Sequence, residues 1–387
     1  MGKEQIRSRS QLASVDPHKL LAADRPVTIV KNECMRLEER LKEWARSLGF
    51  DLVGIAPAGP ADGFDRLTDW LERGFAGNME YMSRHADARR HPQSILPDVH
   101  SVVMVGLHYR PEQTREPQAG TGRVARYARG RDYHDVLRAR LGKLLAWLQG
   151  QVPGCRGRCV VDTAPLLERD FARRAGLGWF GKNTMLINKR LGSYFFLGAL
   201  LLDLELRADT AHVASHCGTC TDCLDACPTG AFAGPGQLDS RRCISYLTIE
   251  LRGPMALDLR PGVGDWLFGC DVCQEVCPWN RKAPVSSEPE WSARPDLEML
   301  SPAELLTLSE ADFRRRFRGS ALWRAGRAGL LRNAAIALGN IGEVAALPEL
   351  RRALDDDDPT VRDAARWAIE RIESLTSSRQ AARPCVH

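Results

Sequence analysis

Eight of the twelve cysteines lie between positions 217 and 277, in two groups whose spacing restricts what this stretch can fold around. The first group, at 217–228, has the spacing C-x2-C-x2-C-x3-C-P, and the second, at 270–278, has C-x2-C-x3-C-P. Runs of this kind hold 4Fe-4S clusters, since three closely spaced thiolates bind one cluster and the fourth, next to proline, binds the other. Cys243 lies between the groups and supplies the ligand that the second group lacks.

This rule divides the eight thiolates between two clusters. The cluster-1 set is Cys217, Cys220, Cys223 and Cys277. The cluster-2 set is Cys227, Cys243, Cys270 and Cys273. A zinc site would favour C-x2-C pairs separated by a spacer, which fits less well, and a disulfide framework would need an oxidising compartment. The pattern therefore predicts a bacterial ferredoxin-like module over residues 211–290 that moves electrons.

The length of 387 residues predicts two or three domains. Residues 1–30 hold charges and no apolar segment of a secretory signal, so we expect a polar N-terminal extension and a cytoplasmic protein. The longest apolar run, at 194–202, is too short to span a bilayer, so no membrane partner is expected. The net charge of +5 does not decide whether the protein binds nucleic acid, because a local basic patch matters more.

The region before the cysteines alternates between helical and strand-like patterns. Apolar residues recur at helical spacing over 35–48 and 133–148, and apolar runs at 51–57, 101–109 and 194–206 have the length of strands. These patterns predict an α+β fold with an α/β-type domain over 31–210. No G-x-G-x-x-G follows a strand there, so a dinucleotide cofactor is not indicated and the electrons must reach another acceptor.

Asp162 follows a short predicted strand at 159–161, where the chain turns into a helix. Such positions often carry active residues, although an Asp there is more often a helix cap or turn residue, and both interpretations are open. The glycine-rich segment 176–183 resembles a phosphate-binding loop only superficially, because Asn183 follows Lys182 where Ser or Thr is required.

Two stretches combine arginines with aromatic residues, at 122–131 and at 313–318 in a connector that we place at 291–324. Arginines meet phosphates and aromatic rings stack on bases, but a solvated basic face is an equally ordinary outcome. With one arginine of the helical region that follows, the candidates for RNA contact are Arg126, Arg129, Arg131, Arg314, Arg315, Arg316, Arg318 and Arg332.

The C-terminal sequence repeats itself. Leu331-Arg-Asn-Ala-Ala recurs as Val361-Arg-Asp-Ala-Ala, each opening an alanine-rich helix, with a shorter helix at 347–354 between them. Paired helices at this period resemble a short HEAT-like solenoid, which we place at 325–375, followed by a tail at 376–387.

Four segments in this order resemble the epoxyqueuosine reductase family: VDTAPLLERDFARRAGLGWFGKNT, CGTCTDCLDACPTGAF, CISYLT and GCDVCQEVCPWN. The resemblance covers about residues 31–375. It implies a cobalamin-dependent enzyme with two 4Fe-4S clusters that performs the last step of queuosine synthesis. The substrate would be a tRNA with a GUN-type anticodon, from whose wobble epoxyqueuosine the epoxide oxygen is removed. It also implies cobalt without a histidine ligand, and the D-x-H-x-x-G signature of one cobalamin class is indeed absent.

The resemblance also assigns roles to single residues. Asp162 matches the family's proton donor, and for that role we expect burial against the corrin to raise its pKa. An unidentified low-potential donor would supply the electrons, and we expect a monomer. The remaining positions that match cobalamin-binding residues of the family are Arg89, Leu186, Leu197, Ser245 and Tyr246.

Two other functions stay open at this point. A reductive dehalogenase shares the cobalamin domain and the paired clusters, but it usually carries a twin-arginine signal and has no need of a HEAT-like tail. A non-enzymatic electron-transfer protein would use the clusters as a relay and the solenoid as a docking surface. That alternative predicts no corrin pocket and no dependence on Asp162.

Overall fold

The computed structural model describes residues 35–111, 120–292, 294, 297 and 300–381, with side chains described up to 378. The predicted extension at 1–30 and the second half of the predicted tail, at 382–387, lie outside the described residues. Within the described ranges, no helix is long and apolar enough to cross a membrane.

The strands of the first half of the chain form a central sheet and several short pairs. In chain order the strands are β1 (Leu52–Pro57), β2 (Ser101–His108), β3 (Arg123–Val124), β4 (Gly157–Val160), β5 (Trp179–Phe180), β6 (Leu186–Ile187), β7 (Phe195–Leu202), β8 (Phe232–Gly234), β9 (Gln237–Leu238) and β10 (Trp266–Phe268). The four-stranded sheet has the order β1-β2-β7-β4, and each of its pairings is antiparallel. The predicted α+β fold is therefore confirmed, whereas the description of this domain as α/β-type does not hold for these strands.

The helices before the cysteines lie on both faces of this sheet. They are α1 (Leu37–Ser47), α2 (Phe64–Glu72), α3 (Glu80–Arg84), α4 (Tyr133–Gln151) and α5 (Glu168–Arg174). Because side chains alternate along a strand, Val103 and Val105 pack with residues of α1 and α4, while Val102 and Met104 pack with residues of α5. The two faces are thus buried in separate hydrophobic clusters, which fixes the end of β4 against the start of α4.

Beyond β7 the chain is mainly helical, with only the short strands β8, β9 and β10 among the described residues. Its helices are α6 (Asp222–Asp225), α7 (Ile244–Ile249), α8 (Arg260–Val263), α9 (Val272–Glu275), α10 (Pro278–Arg281), α11 (Pro302–Leu306), α12 (Glu310–Phe317), α13 (Gly326–Ile341), α14 (Leu347–Ala353) and α15 (Pro359–Ala381). The predicted repeat of two long helices with a shorter one between them agrees with α13, α14 and α15.

Helix α13 lies inside the molecule rather than on its surface. Ten successive residues from Leu330 to Gly339 are buried, because small alanines allow neighbours to approach from several sides. One continuous hydrophobic cluster joins Ile336 of this helix to Leu247 of α7 and Phe268 of β10. The core therefore crosses the bounds that we predicted at 290 and 324, and the domain bounds themselves stay a prediction.

Candidate active site between a cysteine set and an aspartate

The eight cysteines line two neighbouring cavities in the groups that the crossover rule gives. The cluster-1 set lines a cavity of about 280 Å³ together with Lys182, His216 and Trp279. The cluster-2 set lines a second cavity of about 390 Å³. Cys277 is thus separated from its sequence neighbours Cys270 and Cys273, which is the arrangement of a two-cluster module.

The arrangement of the cysteine side chains also bears on whether they could form disulfides or bind zinc. The ten cysteines that the structure describes are all free thiols. Among the described Cys, His, Asp and Glu side chains, no three converge closely enough to hold a single metal ion. Each thiolate of a 4Fe-4S cluster binds a different iron, so four ligands spread around a cavity fit a cluster better than a zinc ion.

The glycine-rich segment before β6 connects the two cysteine sets. The Lys182 ammonium group donates to the backbone carbonyls of Gly218 and Cys220, each at 2.8 Å. The Asn183 side-chain amide donates to the carbonyl of Cys273 at 3.2 Å, and Asn183 lines both cavities. This segment fastens the two ligand loops side by side, which gives electrons a short path between the clusters.

Asp162 lies on the wall of the cluster-2 cavity. The other wall residues outside the cysteine set are mainly aromatic and apolar, with a few polar groups; they include Tyr109, Tyr127, Tyr133, Glu168, Arg169, Met185, Leu197, Phe232, Ser245 and Gln274. The cavity therefore places one set of cluster ligands and one carboxyl group around the same space. No histidine belongs to the lining formed by the described residues.

The backbone at Asp162 is strained. Its φ of 54° lies in the left-handed region, which costs a non-glycine residue on the order of 1 kcal/mol or more. Its N–H donates to the Glu168 carboxyl group at 2.6 Å. Asp162 is not the cap of α5, since Leu167 occupies that position and makes no side-chain cap bond. The structural interpretation as a helix cap is therefore excluded, and strain of this kind is common at functional sites.

The charge of Asp162 is set by a histidine. His134 Nε2 lies 3.3 Å from Asp162 Oδ2, and His134 Nδ1 lies 2.8 Å from Asp132 Oδ1. Burial alone would lower the pKa of His134, but the two carboxylates raise it to about 9. The hydrogen bond from His134 lowers the pKa of Asp162 despite the opposing effect of burial. The rise in the pKa of Asp162 that we expect from burial against a corrin stays a prediction, and in the protein alone the proton lies on His134.

Glu168 and Tyr133 complete the surroundings of Asp162. Burial, with the nearby charge of Asp162, raises the pKa of Glu168 to about 8. Burial also raises the pKa of the Tyr133 phenol well above its usual value, and its ring stacks on Phe196 with centroids 4.3 Å apart. At neutral pH Glu168 and Tyr133 are both protonated, so Asp162 carries the negative charge among these three groups.

The structure places the predicted cobalamin-binding residues in different surroundings. Leu197 and Ser245 line the cluster-2 cavity. Arg89 is buried and donates to the carbonyl of His85 at 2.9 Å, and the Tyr246 hydroxyl donates to the Asn78 side-chain carbonyl at 2.9 Å. Leu186 is buried in β6. For all five residues, contact with a cofactor stays a prediction.

The first basic stretch largely serves the fold. Arg126 pairs with Glu275 at 3.0 Å and is 22% exposed. Arg129 is 8% exposed and donates to the carbonyl of Val124 at 2.8 Å. Arg131 is exposed and lies 3.2 Å from the Glu290 carboxylate. The prediction that Arg129 contacts RNA is therefore wrong, because its guanidinium lies inside the protein.

The second basic stretch exposes arginines but buries its aromatic rings. Phe313 and Phe317 are buried, so base stacking by these rings is excluded. Arg314 and Arg315 on α12 are exposed and pair with acidic residues of the same helix. The described side chain of Arg318 is exposed, whereas Arg316 is half-buried over the ring of Phe317.

Arg332 is a structural residue. It is 2% exposed, and its guanidinium donates to the backbone carbonyls of Leu247, Leu251 and Gly253 at 2.6–3.0 Å. These bonds fasten α13 to the end of α7. The prediction that Arg332 contacts RNA is wrong, because its guanidinium is buried and donates to backbone carbonyls of the protein.

We expect Arg332→Met to destabilise the protein by on the order of 3 kcal/mol, because one buried and two partly buried carbonyls lose their donor. The matched variant Arg315→Met removes an arginine whose side chain is 75% exposed, and we expect its effect to stay within about 0.5 kcal/mol. Chemical denaturation of both variants measures the difference. Equal denaturation midpoints would contradict the structural role of Arg332.

A cavity that joins one set of 4Fe-4S ligands to a strained aspartate is the site of an iron–sulfur oxidoreductase. Three family models match the chain: the 4Fe-4S double cluster binding domain at 216–280, "Epoxyqueuosine reductase QueG, DUF1730" at 89–163, and HEAT repeats at 320–384. The epoxyqueuosine reductase of Pseudomonas aeruginosa is 44% identical over 341 residues, which cover 87% of this chain and 94% of that protein. The chain belongs to the epoxyqueuosine reductase family.

Two solved structures of this family have the same fold. An epoxyqueuosine reductase with an epoxyqueuosine-modified tRNA-Tyr stem loop superposes with a TM-score of 0.81 at 34% identity, covering 90% of this chain and 95% of that one. The Bacillus subtilis enzyme with a catalytic aspartate loop swung out of the active site gives 0.81 at 33% identity, with the same coverage.

Proposed function

We propose that this protein removes the epoxide oxygen from epoxyqueuosine in tRNA, using two 4Fe-4S clusters and cobalamin. The observation that carries the proposal is the single cavity whose wall contains both the cluster-2 set and Asp162. Electrons and a proton can then reach the same small volume. The 44% identity to a relative named epoxyqueuosine reductase supports the choice of substrate.

The cavity suits a large planar cofactor that is reduced by a cluster. Its lining is aromatic and aliphatic on the sides, and Ser245 brings a polar group next to ligand Cys243. Leu197 and Ser245 are the residues that would hold the corrin. When bound, cobalamin would supply a strongly reducing metal centre next to the substrate.

The residues of this chain then have separate tasks. Asn183, which lines both cavities, keeps the cluster loops close enough for electron transfer. The rings of Tyr127 and Tyr133 form part of the cavity wall and leave less room there for water. Burial keeps both phenols neutral. Asp162 delivers a proton to the oxygen as the epoxide opens, because an alkoxide leaving group would be a poor product at neutral pH.

The tRNA would approach across a groove beside α12 and α13. This groove has a volume of about 890 Å³ and is lined by Trp323, Arg324 and Arg314 among others. Trp323 is 44% exposed and offers the ring surface for a base that Phe313 and Phe317 do not. Arg324 pairs with Glu250 at 2.8 Å, and its charge lowers the pKa of Asp162 on the wall of the cluster-2 cavity.

We expect Arg314→Gln, Arg315→Gln and Arg318→Gln together to weaken tRNA binding and to reduce its salt dependence, because three phosphate contacts are lost. The slope of log affinity against log salt should fall by about 2 to 3. A triple variant of exposed arginines elsewhere, at Arg66, Arg158 and Arg207, controls for total charge. Titration of tRNA by fluorescence anisotropy at several salt concentrations measures both. An unchanged slope in the first variant would remove α12 from the RNA surface.

A substrate panel tests the function against its rivals. Reconstituted protein with cobalamin is mixed anaerobically with a reduced viologen, and oxidation of the dye is followed with each of two acceptors. We expect consumption of electrons with epoxyqueuosine in a tRNA stem loop and none with a halogenated phenol. Turnover of the phenol alone would indicate a dehalogenase, and dye oxidation with no acceptor conversion would indicate an electron relay.

A further inference from the structure

The proposed reaction needs more protons than Asp162 can store. Converting an epoxide to an alkene breaks both carbon–oxygen bonds, takes up two electrons and two protons, and releases the oxygen as water. The electrons come from a low-potential one-electron donor through the clusters. Asp162 is ionised at neutral pH and can carry only one proton at a time, so it must be protonated twice within each turnover.

We propose that His134, held between Asp132 and Asp162, is the positioning residue that returns protons to Asp162. The inference rests on the proposed function above. His134 Nε2 lies 3.3 Å from Asp162 Oδ2 and Nδ1 lies 2.8 Å from Asp132 Oδ1. An imidazolium has an N–H at each ring nitrogen, so it can donate to both carboxylates at once. Transfer of the Nε2 proton leaves a neutral imidazole whose remaining N–H still faces Asp132.

The position of the imidazole is fixed by the start of α4. Asp132 is the helix cap and accepts the backbone N–H of His134 at 3.0 Å, so the same carboxylate holds both the backbone and the ring. The ring of Tyr133 stacks on the imidazole with centroids 4.0 Å apart. The His134 side chain is 23% exposed, so it can recover a proton from solvent although it does not line the cavity.

The charged groups around His134 favour a proton on the ring. Asp132 and Asp162 are hydrogen-bonded to it, and Glu168 of α5 is close enough for its pKa to respond to the imidazole charge. Arg138, one turn along α4, acts on Asp132 and donates to the Thr163 hydroxyl at 3.3 Å. The balance of these charges raises the pKa of His134 to about 9, so the relay is loaded at neutral pH.

The pH dependence of turnover distinguishes a relay from a structural histidine. In the wild-type protein we expect the rate of conversion to stay level through neutral pH and to fall above about 9, where His134 loses its proton. His134→Gln keeps a hydrogen-bonding side chain, but an amide has no proton that it can transfer to Asp162. We expect its rate at neutral pH to fall by about 10²-fold and to rise as the pH is lowered, because Asp162 must then be protonated from solvent.

Two further variants sharpen this test. Added imidazole should restore part of the rate in His134→Ala. His100→Gln changes an exposed histidine and should retain the wild-type rate and profile. Iron content, cobalamin binding and circular dichroism of each variant show that it has folded. A wild-type profile in His134→Gln would overturn the relay.

A measurement without turnover keeps this test separate from the proposed function. The imidazole of His134 can be titrated by NMR in holoprotein with labelled histidine and oxidised clusters. We expect a midpoint near 9 in the wild type and a lower one in Asp132→Asn. A midpoint at the ordinary value of about 6.5 would overturn the proposal. If the wild type converts no epoxyqueuosine, the proposed function fails, while this titration still decides where the proton lies.

Discussion

Replacing Asp162 by Asn should abolish conversion of epoxyqueuosine while leaving the cofactors in place. The amide has the same shape as the carboxyl group but cannot give up a proton to the opening epoxide, and loss of a general acid costs about 10²- to 10⁴-fold in rate. The Asp162 side chain is 60% exposed toward the cavity, so the change leaves no buried group unsatisfied. Single-turnover assays with prereduced protein measure this step directly.

Asp98 provides the matched control for this variant. It is also an exposed aspartate in the left-handed region, with φ of 60°, but it does not line the cluster-2 cavity. Asp98→Asn should therefore leave the rate unchanged. A single-turnover rate in Asp162→Asn within threefold of the wild type would show that the proton comes from another group, with Glu168 on the same cavity wall as the next candidate.

Replacing Cys273 by Ser should remove the second cluster and all turnover. Cys273 belongs to the set that lines the same cavity as Asp162, so its cluster is the one that can reduce a cofactor there. We expect about half of the iron to be lost, since each cluster holds four irons. Iron analysis and electron paramagnetic resonance of the reduced protein measure the loss.

Cys159→Ser is the matched control, because it replaces a cysteine that is not a predicted cluster ligand. Cys159 is a described free cysteine in β4 that lines neither cluster cavity, and burial raises its pKa. This variant should keep its full iron content and rate. Full turnover in Cys273→Ser would contradict the assignment of the cluster-2 set to the catalytic cavity.

The features that could be predicted from the sequence are those set by local spacing. The grouping of the cysteines follows from a rule about neighbouring positions, so Cys277 could be separated from Cys270 and Cys273 without a structure. The apolar run of β2 and the helical period of α4 are equally local. Asp162 was found because it follows a strand and matches a family motif, and its strained backbone agrees with a functional role.

The features that could not be predicted depend on contacts between distant parts of the chain. His134 lies 28 positions before Asp162. In the sequence it stands out only because Asp132-Tyr-His134 begins like the D-x-H-x-x-G cobalamin signature, which the following residues do not complete. Its raised pKa, and the lowered pKa of Asp162, follow from that contact. An Asp two residues before a His at the start of a helix was the available signal.

Arginines near the C-terminus show a second limit. Arg332 and Arg315 look alike in sequence, yet one is buried under three carbonyls and the other is exposed. The difference arises because α13 is covered by α7, β10 and α15, whereas α12 has a free face. Helical period identifies which face of a helix is apolar. An alanine-rich helix, however, can be covered on several sides, and its polar residues then bind the neighbouring backbone instead of facing solvent.

The most direct test of the account is the mass of the modified nucleoside after incubation with the protein. Reconstituted protein, cobalamin and a strong reductant are mixed anaerobically with tRNA that carries epoxyqueuosine, and the digested tRNA is analysed by mass spectrometry. If the protein reduces epoxyqueuosine, we expect the nucleoside to lose one oxygen atom, and the loss to require both cobalamin and reductant. An unchanged nucleoside, with both clusters assembled, cobalamin bound and tRNA bound, would contradict it.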